Sequence, residues 1–408
     1  MSKKIRSKPL KVVCIFIIVL PFLSGCWDRI EIEERATVLA IGIDKTEIEE
    51  EEEEMVTHLK DDSAKEKYGD YKVTVQIAVP GRLPLGPGTG MGGGGDERPV
   101  WILESKGHTM SDAITNLQQE ISSRIFLGHL RIIVVSEEVA REGLREIGDY
   151  LRRNSEVRRA AWLIVSKEDA SKYVKAQPEL ERVAAIYLLA TMDQAVRLGK
   201  LPNNFIGTFW STLSSKGQDP YLPYVELKKE DNIKISGLAY FKNDQMVGAT
   251  TPIQIGHFMG IMQMNPGGYK VLVTVPDVNE TVVFESVQRK SKLRIDIKDG
   301  IPHARVQVYI EGDITESSND YKITTTKVIE QLEDVLPKDA NVRYSKLVKE
   351  TQEAGSDIFG FGEYVRAKHP TYWNTQVKTR ERWNELYKEM PVDINVTYNF
   401  RRIGMKAR

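Results

Sequence analysis

The chain has 408 residues and a net charge of −1, with Lys and Arg almost balanced by Asp and Glu. At roughly 150 residues per domain this is enough for two or three domains, and it lacks the basic excess that binding nucleic acid requires. Its two cysteines, Cys14 and Cys26, exclude a disulfide framework.

The first eleven residues are basic and carry no acid, and Val12 to Leu23 is an unbroken apolar run of 12 residues. A membrane-spanning helix needs about 20, and Pro21 would disturb one, so the run reads as the centre of a secretory signal peptide. Leu-Ser-Gly-Cys, ending at Cys26, matches the bacterial lipobox. Cleavage between Gly25 and Cys26 would make Cys26 the first residue, with a diacylglycerol on its thiol and an acyl group on its amine. Two or more acyl chains hold a protein stably to a bilayer, so Cys26 is expected to tether the body to the outer face of a membrane. Removing the signal takes away five Lys or Arg and no acid, which leaves 383 residues at about −6. Trp27 follows at once, and its amphipathic ring suits a membrane interface.

Beyond the cysteine, Ala36 to Asp44 and Tyr71 to Pro80 read as strands. Between them, six consecutive glutamates at 49–54 repel one another and predict a solvated loop. Residues 88–93 formally satisfy G-x-G-x-x-G, but glycines and Pro99 follow where a nucleotide site needs a helix to open. Gly81 to Pro99 therefore reads as a flexible loop joining two strands.

Helical spacing begins at Ser111, a plausible N-cap. Two strand-then-helix units follow, and a longer helix is predicted from Pro178 to Lys200. Leu201 to Pro223 has linker composition, and Lys234 to Thr251 predicts a hairpin turning at Asn243 and Asp244. A short apolar helix carries Gly256 and Gly260, read as close packing against that hairpin. Three alternating strands then predict a meander with one wet face. Helix is expected over Tyr321 to Glu353 with a break at Pro337, followed by a Trp383-bearing helix and a last strand. The fold class is α+β: a mixed sheet-and-helix region, then an antiparallel-sheet domain with helices. The expected division is 1–25 signal peptide, 26–200 mixed α/β domain, 201–265 linker with a small hairpin and helix, and 266–408 carboxyl-terminal domain.

No pattern for catalysis, metal or cofactor emerges. The six histidines show no zinc spacing, and no serine sits in a nucleophile elbow. His129, after Gly128 and just before a strand, reads as a hydrogen-bonded structural histidine. Ser356 to Gly362, SDIFGFG, allows two readings. Phe359 and Phe361 form an exposed interaction loop, or they plug a core while Gly360 and Gly362 permit tight turns. Residue types favour the core.

Four blocks carry a family resemblance: GCWDRIEIEERATVLAIGIDK after the lipobox, SSRIFLGHLRIIVVSEEVAREGL, SGLAYFKNDQMVG, and SDIFGFGEYVRAKHPTYW with Trp383 beyond it. Together they resemble the Ger(x)C lipoproteins, the C subunits of spore germinant receptors. The glutamate run and the glycine run at 92–95 depart from the family pattern in loop positions only. The resemblance implies a non-catalytic, lipid-anchored component of the spore inner membrane. It would act beside an A subunit and a transporter-like B subunit in the response to nutrients. Cys-Trp-Asp, with Trp27 and Asp28, and the Asp357 motif belong to that pattern. A different class, a ligand-binding lipoprotein serving a membrane transporter, would need two doubly wound lobes around a cleft, which the predicted meander fits poorly.

Overall fold

A computed structural model describes residues 34–48, 69–80, 99–179, 181–264, 267–275, 280–317 and 326–403. The lipobox, Cys26, Trp27, Asp28, the glutamate run and the glycine run lie outside the described residues.

Two sheets organise the described chain. The larger holds nine strands: β1 (Arg35–Lys45), β2 (Tyr71–Ala78), β3 (Val100–Gly107), β4 (Arg124–Phe126), β5 (Ile132–Ser136), β6 (Trp162–Ser166), β7 (Tyr221–Leu227), β8 (Ile233–Lys242) and β9 (Gln245–Ala249). Their order is β3-β2-β1-β5-β6-β7-β8-β9, with β4 added parallel to β1. The central strands β1, β5, β6 and β7 run parallel, and such strands are buried on both faces. Ile132, Val134, Trp162 and Ile164 point into one core, and Ile133, Val135, Leu163 and Val165 into the other. Helices α1 (Met110–Glu120), α2 (Glu137–Glu142), α3 (Arg145–Arg153) and α6 (Ile206–Leu213) supply the second core with Leu117, Val139, Ile147 and Phe209. Helices α4 (Ala170–Lys175), α5 (Ala184–Arg197) and α7 (Pro252–Ile261) cover the first.

The smaller sheet is β10 (Lys270–Val275), β11 (Glu280–Lys298), β12 (Ile301–Ser317) and β13 (Val392–Ile403), in that order. The first three form the antiparallel meander. The last strand runs parallel to β12. A parallel return needs a long crossover, and it is helical, its longer helices being α8 (Thr326–Ala354), α9 (Phe361–Lys368) and α10 (Arg380–Glu389). Along β12 the alternation is strict, with Ala304, Val306, Val308 and Ile310 buried and Arg305, Gln307 and Tyr309 exposed. The first core is continuous from the large sheet to this one.

Several local expectations are corrected. The N-cap of α1 is Thr109, whose hydroxyl accepts from the Asp112 N–H, not Ser111. Helix α1 ends at Glu120, and Arg124–Phe126 pairs with β1. Helix α5 starts at Ala184, six residues after Pro178. The linker-like 201–223 contains α6 and the start of β7, and β7 to β9 continue the large sheet instead of standing apart. Helix α8 runs through Pro337. A proline removes one helical hydrogen bond, but buried Leu332, Leu336, Ala340, Tyr344 and Leu347 hold the helix on the sheet across that point. Helix α7 packs on hairpin strand β8 as expected, while Gly256 and Gly260 themselves lie beneath the rings of Tyr269 and Tyr344.

Candidate functional site

The most constrained polar arrangement in the described chain is the SDIFGFG segment between α8 and α9. Gly360 has φ 71° and ψ 30°, a left-handed conformation that glycine adopts without steric cost. It caps α9, and the first two N–H groups beyond it turn back onto Asp357. The Asp357 carboxylate accepts from Phe361 N at 3.2 Å, Gly362 N at 2.8 Å and the Trp383 indole Nε1 at 2.9 Å. A helix N-terminus exposes unsatisfied donors, so one buried side chain here serves α9 and ties it to α10. Phe359 and Phe361 are buried, stacked with centroids 5.3 Å apart, and Phe359 lies 5.8 Å from Phe258 of α7.

The same segment is fastened to the large sheet. The Asp357 N–H donates to Asp219 Oδ2 at 3.1 Å, and the Asp219 N–H returns a bond to the Asp357 carbonyl at 2.8 Å. Ser356 Oγ donates to the Phe241 carbonyl on β8 at 2.6 Å. Asp219 also accepts from Asn243 N in the β8–β9 turn at 3.2 Å and faces Arg380 Nη1 at 3.7 Å. Arg380 donates onward to the carbonyls of Thr212, Leu213 and Ser215 at the end of α6. Packing leaves no slack. A Cβ on Gly362 would lie 2.5 Å from the Trp383 indole and 2.7 Å from the Gly217 Cα.

Burial dominates the electrostatics. It pushes the Asp357 carboxyl up to about 7, against the three N–H donors that favour its ionised form, and neighbouring Asp219 adds to the rise. Asp219 is also raised by burial, opposed by the Asn243 N–H and by Arg380. Asp357 is 0 % exposed, so no substrate reaches it. The arrangement can hold two sheets in one geometry; it offers no open reacting group.

The other residues singled out from the sequence are not brought to this node. His129 is exposed and meets Phe126 edge-on with centroids 5.7 Å apart. Among the described residues it has no hydrogen-bond partner, because the turn before β5 points the ring outward, contrary to the expected structural bond. Sequence reading missed Asp219, Gly217 and Arg380, which lie more than a hundred residues from Asp357 or on another helix. The only local signal was the Gly217 to Pro220 turn composition. Among the described residues, no group of three or more His, Cys, Asp or Glu is placed to hold a metal. No helix there is long and apolar enough to cross a membrane. A shallow depression of about 610 Å³ lies on the outer face of the small sheet, lined by Lys290, Lys292, Tyr309 and Asn395; it is no cleft between lobes.

Fold and node together define a two-sheet α+β protein in which a buried aspartate pair fastens the helical crossover of the small sheet to the large sheet. Two family models cover the chain end to end. The spore germination protein N-terminal domain matches residues 28–227, and the spore germination B3/GerAC-like C-terminal domain matches residues 236–404. The chain therefore belongs to the GerAC-like family of spore germination proteins. It is 25 % identical to spore germination protein KC of Bacillus subtilis (strain 168), across 97 % of this chain and 95 % of that one. Spore germination protein B3 of the same organism is 21 % identical, over 96 % of this chain and 98 % of its own length. The crystal structure of the GerBC protein shares the fold, with a TM-score of 0.55 at 18 % identity, covering 82 % of this chain and 94 % of that chain.

Proposed function

We propose that this protein is the C subunit of a nutrient germinant receptor of bacterial spores: a lipid-anchored, non-catalytic component needed for the response that starts germination. The observation that carries the reading is the end-to-end match of both family models, with near full-length similarity to spore germination proteins. The signal peptide and lipobox support attachment at Cys26 after cleavage behind Gly25. Its partners are the A and B membrane subunits and the bilayer of the spore inner membrane. In this reading the Asp357 node keeps both sheets in the orientation those partners meet. Trp27 orients the chain as it leaves the lipid, with Asp28 beside it.

The test is nutrient-triggered dipicolinic acid release from spores in which Cys26→Ala replaces the wild-type chain, in a strain with no other receptor for that nutrient. Loss of release at normal protein level, with wild-type restoring it, supports an anchored receptor subunit. Unchanged release refutes the need for the anchor. Trp27→Ala should loosen complex assembly without affecting acylation; intact assembly removes the role given to Trp27.

A further inference from the structure

The direction of β1 fixes which end of the large sheet faces the anchor. Nine steps separate Cys26 from Arg35, where β1 begins, and a fully extended chain covers at most about 30 Å over that span. The end of the sheet at Arg35 therefore lies within that reach of the lipid. Parallel pairing brings the starts of β5 and β6 to the same end, and the register places the start of β3 there too.

Exposed arginines cluster at that end beside an exposed indole, outnumbering the exposed Glu34, Glu120 and Asp149. Arg124, Arg131, Arg152, Arg153, Arg158 and Arg159 are all exposed on the segments that lead into or out of it. Trp101, on the edge strand β3, is 47 % exposed. The segment before β6 is held beside β4 by Glu156, whose carboxylate accepts from the Leu127 N–H at 2.8 Å and pairs with Arg124. Arg153 pairs with Asp149. Among the described residues, Arg131, Arg152, Arg158 and Arg159 have no ion pair, so their charge faces solvent. At the opposite end β1 finishes at Lys45, which pairs with Glu142. Arg131 sits at the level of Leu39, so about 20 Å of strand separates it from Lys45, twice the screening length of about 8–10 Å at moderate salt.

We propose that this arginine rim, with Trp101, rests on the anionic headgroups of the membrane in which Cys26 is anchored, so that the large sheet stands with its β1 start toward the bilayer. The proposal rests on the anchoring reading above. Arginine forks match phosphate oxygens, and basic segments beside a lipid anchor add electrostatic attachment to an anionic surface. Tryptophan favours the headgroup level.

The test uses the acylated mature chain, in which the lipid occupies Cys26 and Cys14 has left with the signal, so an introduced cysteine is the lone free thiol. A fluorophore is placed at Ala160→Cys on the rim or at Glu47→Cys at the far end, both exposed positions. Each chain is reconstituted without partner proteins into vesicles of phosphatidylcholine with or without phosphatidylglycerol, carrying a headgroup nitroxide quencher. The expected result is quenching at 160 but not at 47, confined to phosphatidylglycerol vesicles and lost at high salt or with Arg158→Glu plus Arg159→Glu. Equal quenching at both positions, or none at 160 in chains that float with the vesicles, overturns the orientation while leaving the anchor intact. The latter result leaves the rim to a protein partner. Chains that do not float at high salt overturn the anchoring reading, and the orientation falls with it.

Discussion

The two sheets of this protein solve burial in opposite ways. In β5 and β6 every residue is buried, because helices cover both faces and each strand must be apolar on both. In β12 burial alternates residue by residue, because α8 covers one face and water the other. The first sheet spends its sequence on core; the second keeps half of its positions for a polar surface. The comparison shows how a chain can hold one part rigid and leave another part free to meet something else. It also explains why the joint matters. The small sheet has a single covered face, so its orientation depends on the core shared through α7 and α8 and on the Asp357 node that fastens its crossover helices to the large sheet.

The largest effect expected on this arrangement is from Trp383→Ala. It removes a fully buried indole and strands the Asp357 carboxylate, which should cost about 3–5 kcal/mol. Denaturant titration checks it, and separate unfolding of the two sheets is the expected sharper sign; a loss under about 1 kcal/mol would show that the node does not join them. A pH effect of up to about 4 kcal/mol follows from Asp357, at about 1.36 kcal/mol per unit. Its carboxyl is raised from 3.8 to about 7 in the folded chain. The folded state therefore holds a proton that the unfolded state has released, and stability falls as pH rises through that window and levels off above it. Stability measured against pH should show this slope in the wild type and lose it in Asp357→Asn; identical slopes would remove Asp357 as its source.

Gly362→Ala comes next, at about 1–3 kcal/mol from overpacking against the Trp383 ring and Gly217. The contrast between the sheets is tested directly by neighbouring pairs. Val134→Ala and Val135→Ala should each cost roughly 2 kcal/mol. Val308→Ala should cost a similar amount, but Tyr309→Ser less than about 0.5 kcal/mol. Equal costs at 308 and 309 would mean that the outer face is covered. His129→Ala, at an exposed turn, should fall within about 0.5 kcal/mol of wild type by the same titration.

Much of this was legible in the residues themselves. Strand alternation in the carboxyl half, the apolar strands of the amino half and the turn at Asn243 are local signals, set by side-chain period and turn chemistry. The burial of Phe359 and Phe361 and the left-handed Gly360 also follow from residue type and a short turn. Local chemistry misplaced the start of α1 and the expected break at Pro337, where a buried stripe outweighs one lost hydrogen bond.

What the sequence by itself determined is the periodicity of the elements, a Leu-Ser-Gly-Cys stretch that matches a lipobox, and the family blocks. Tertiary structure alone decided that Asp357 meets Asp219 across more than a hundred residues, that β13 returns parallel to β12, and that the arginines before β6 share an end with the start of β1. The reason is physical. Periodicity and turn type are carried by neighbouring residues, whereas the partner of a buried polar group is fixed only when packing brings distant segments together and water is excluded.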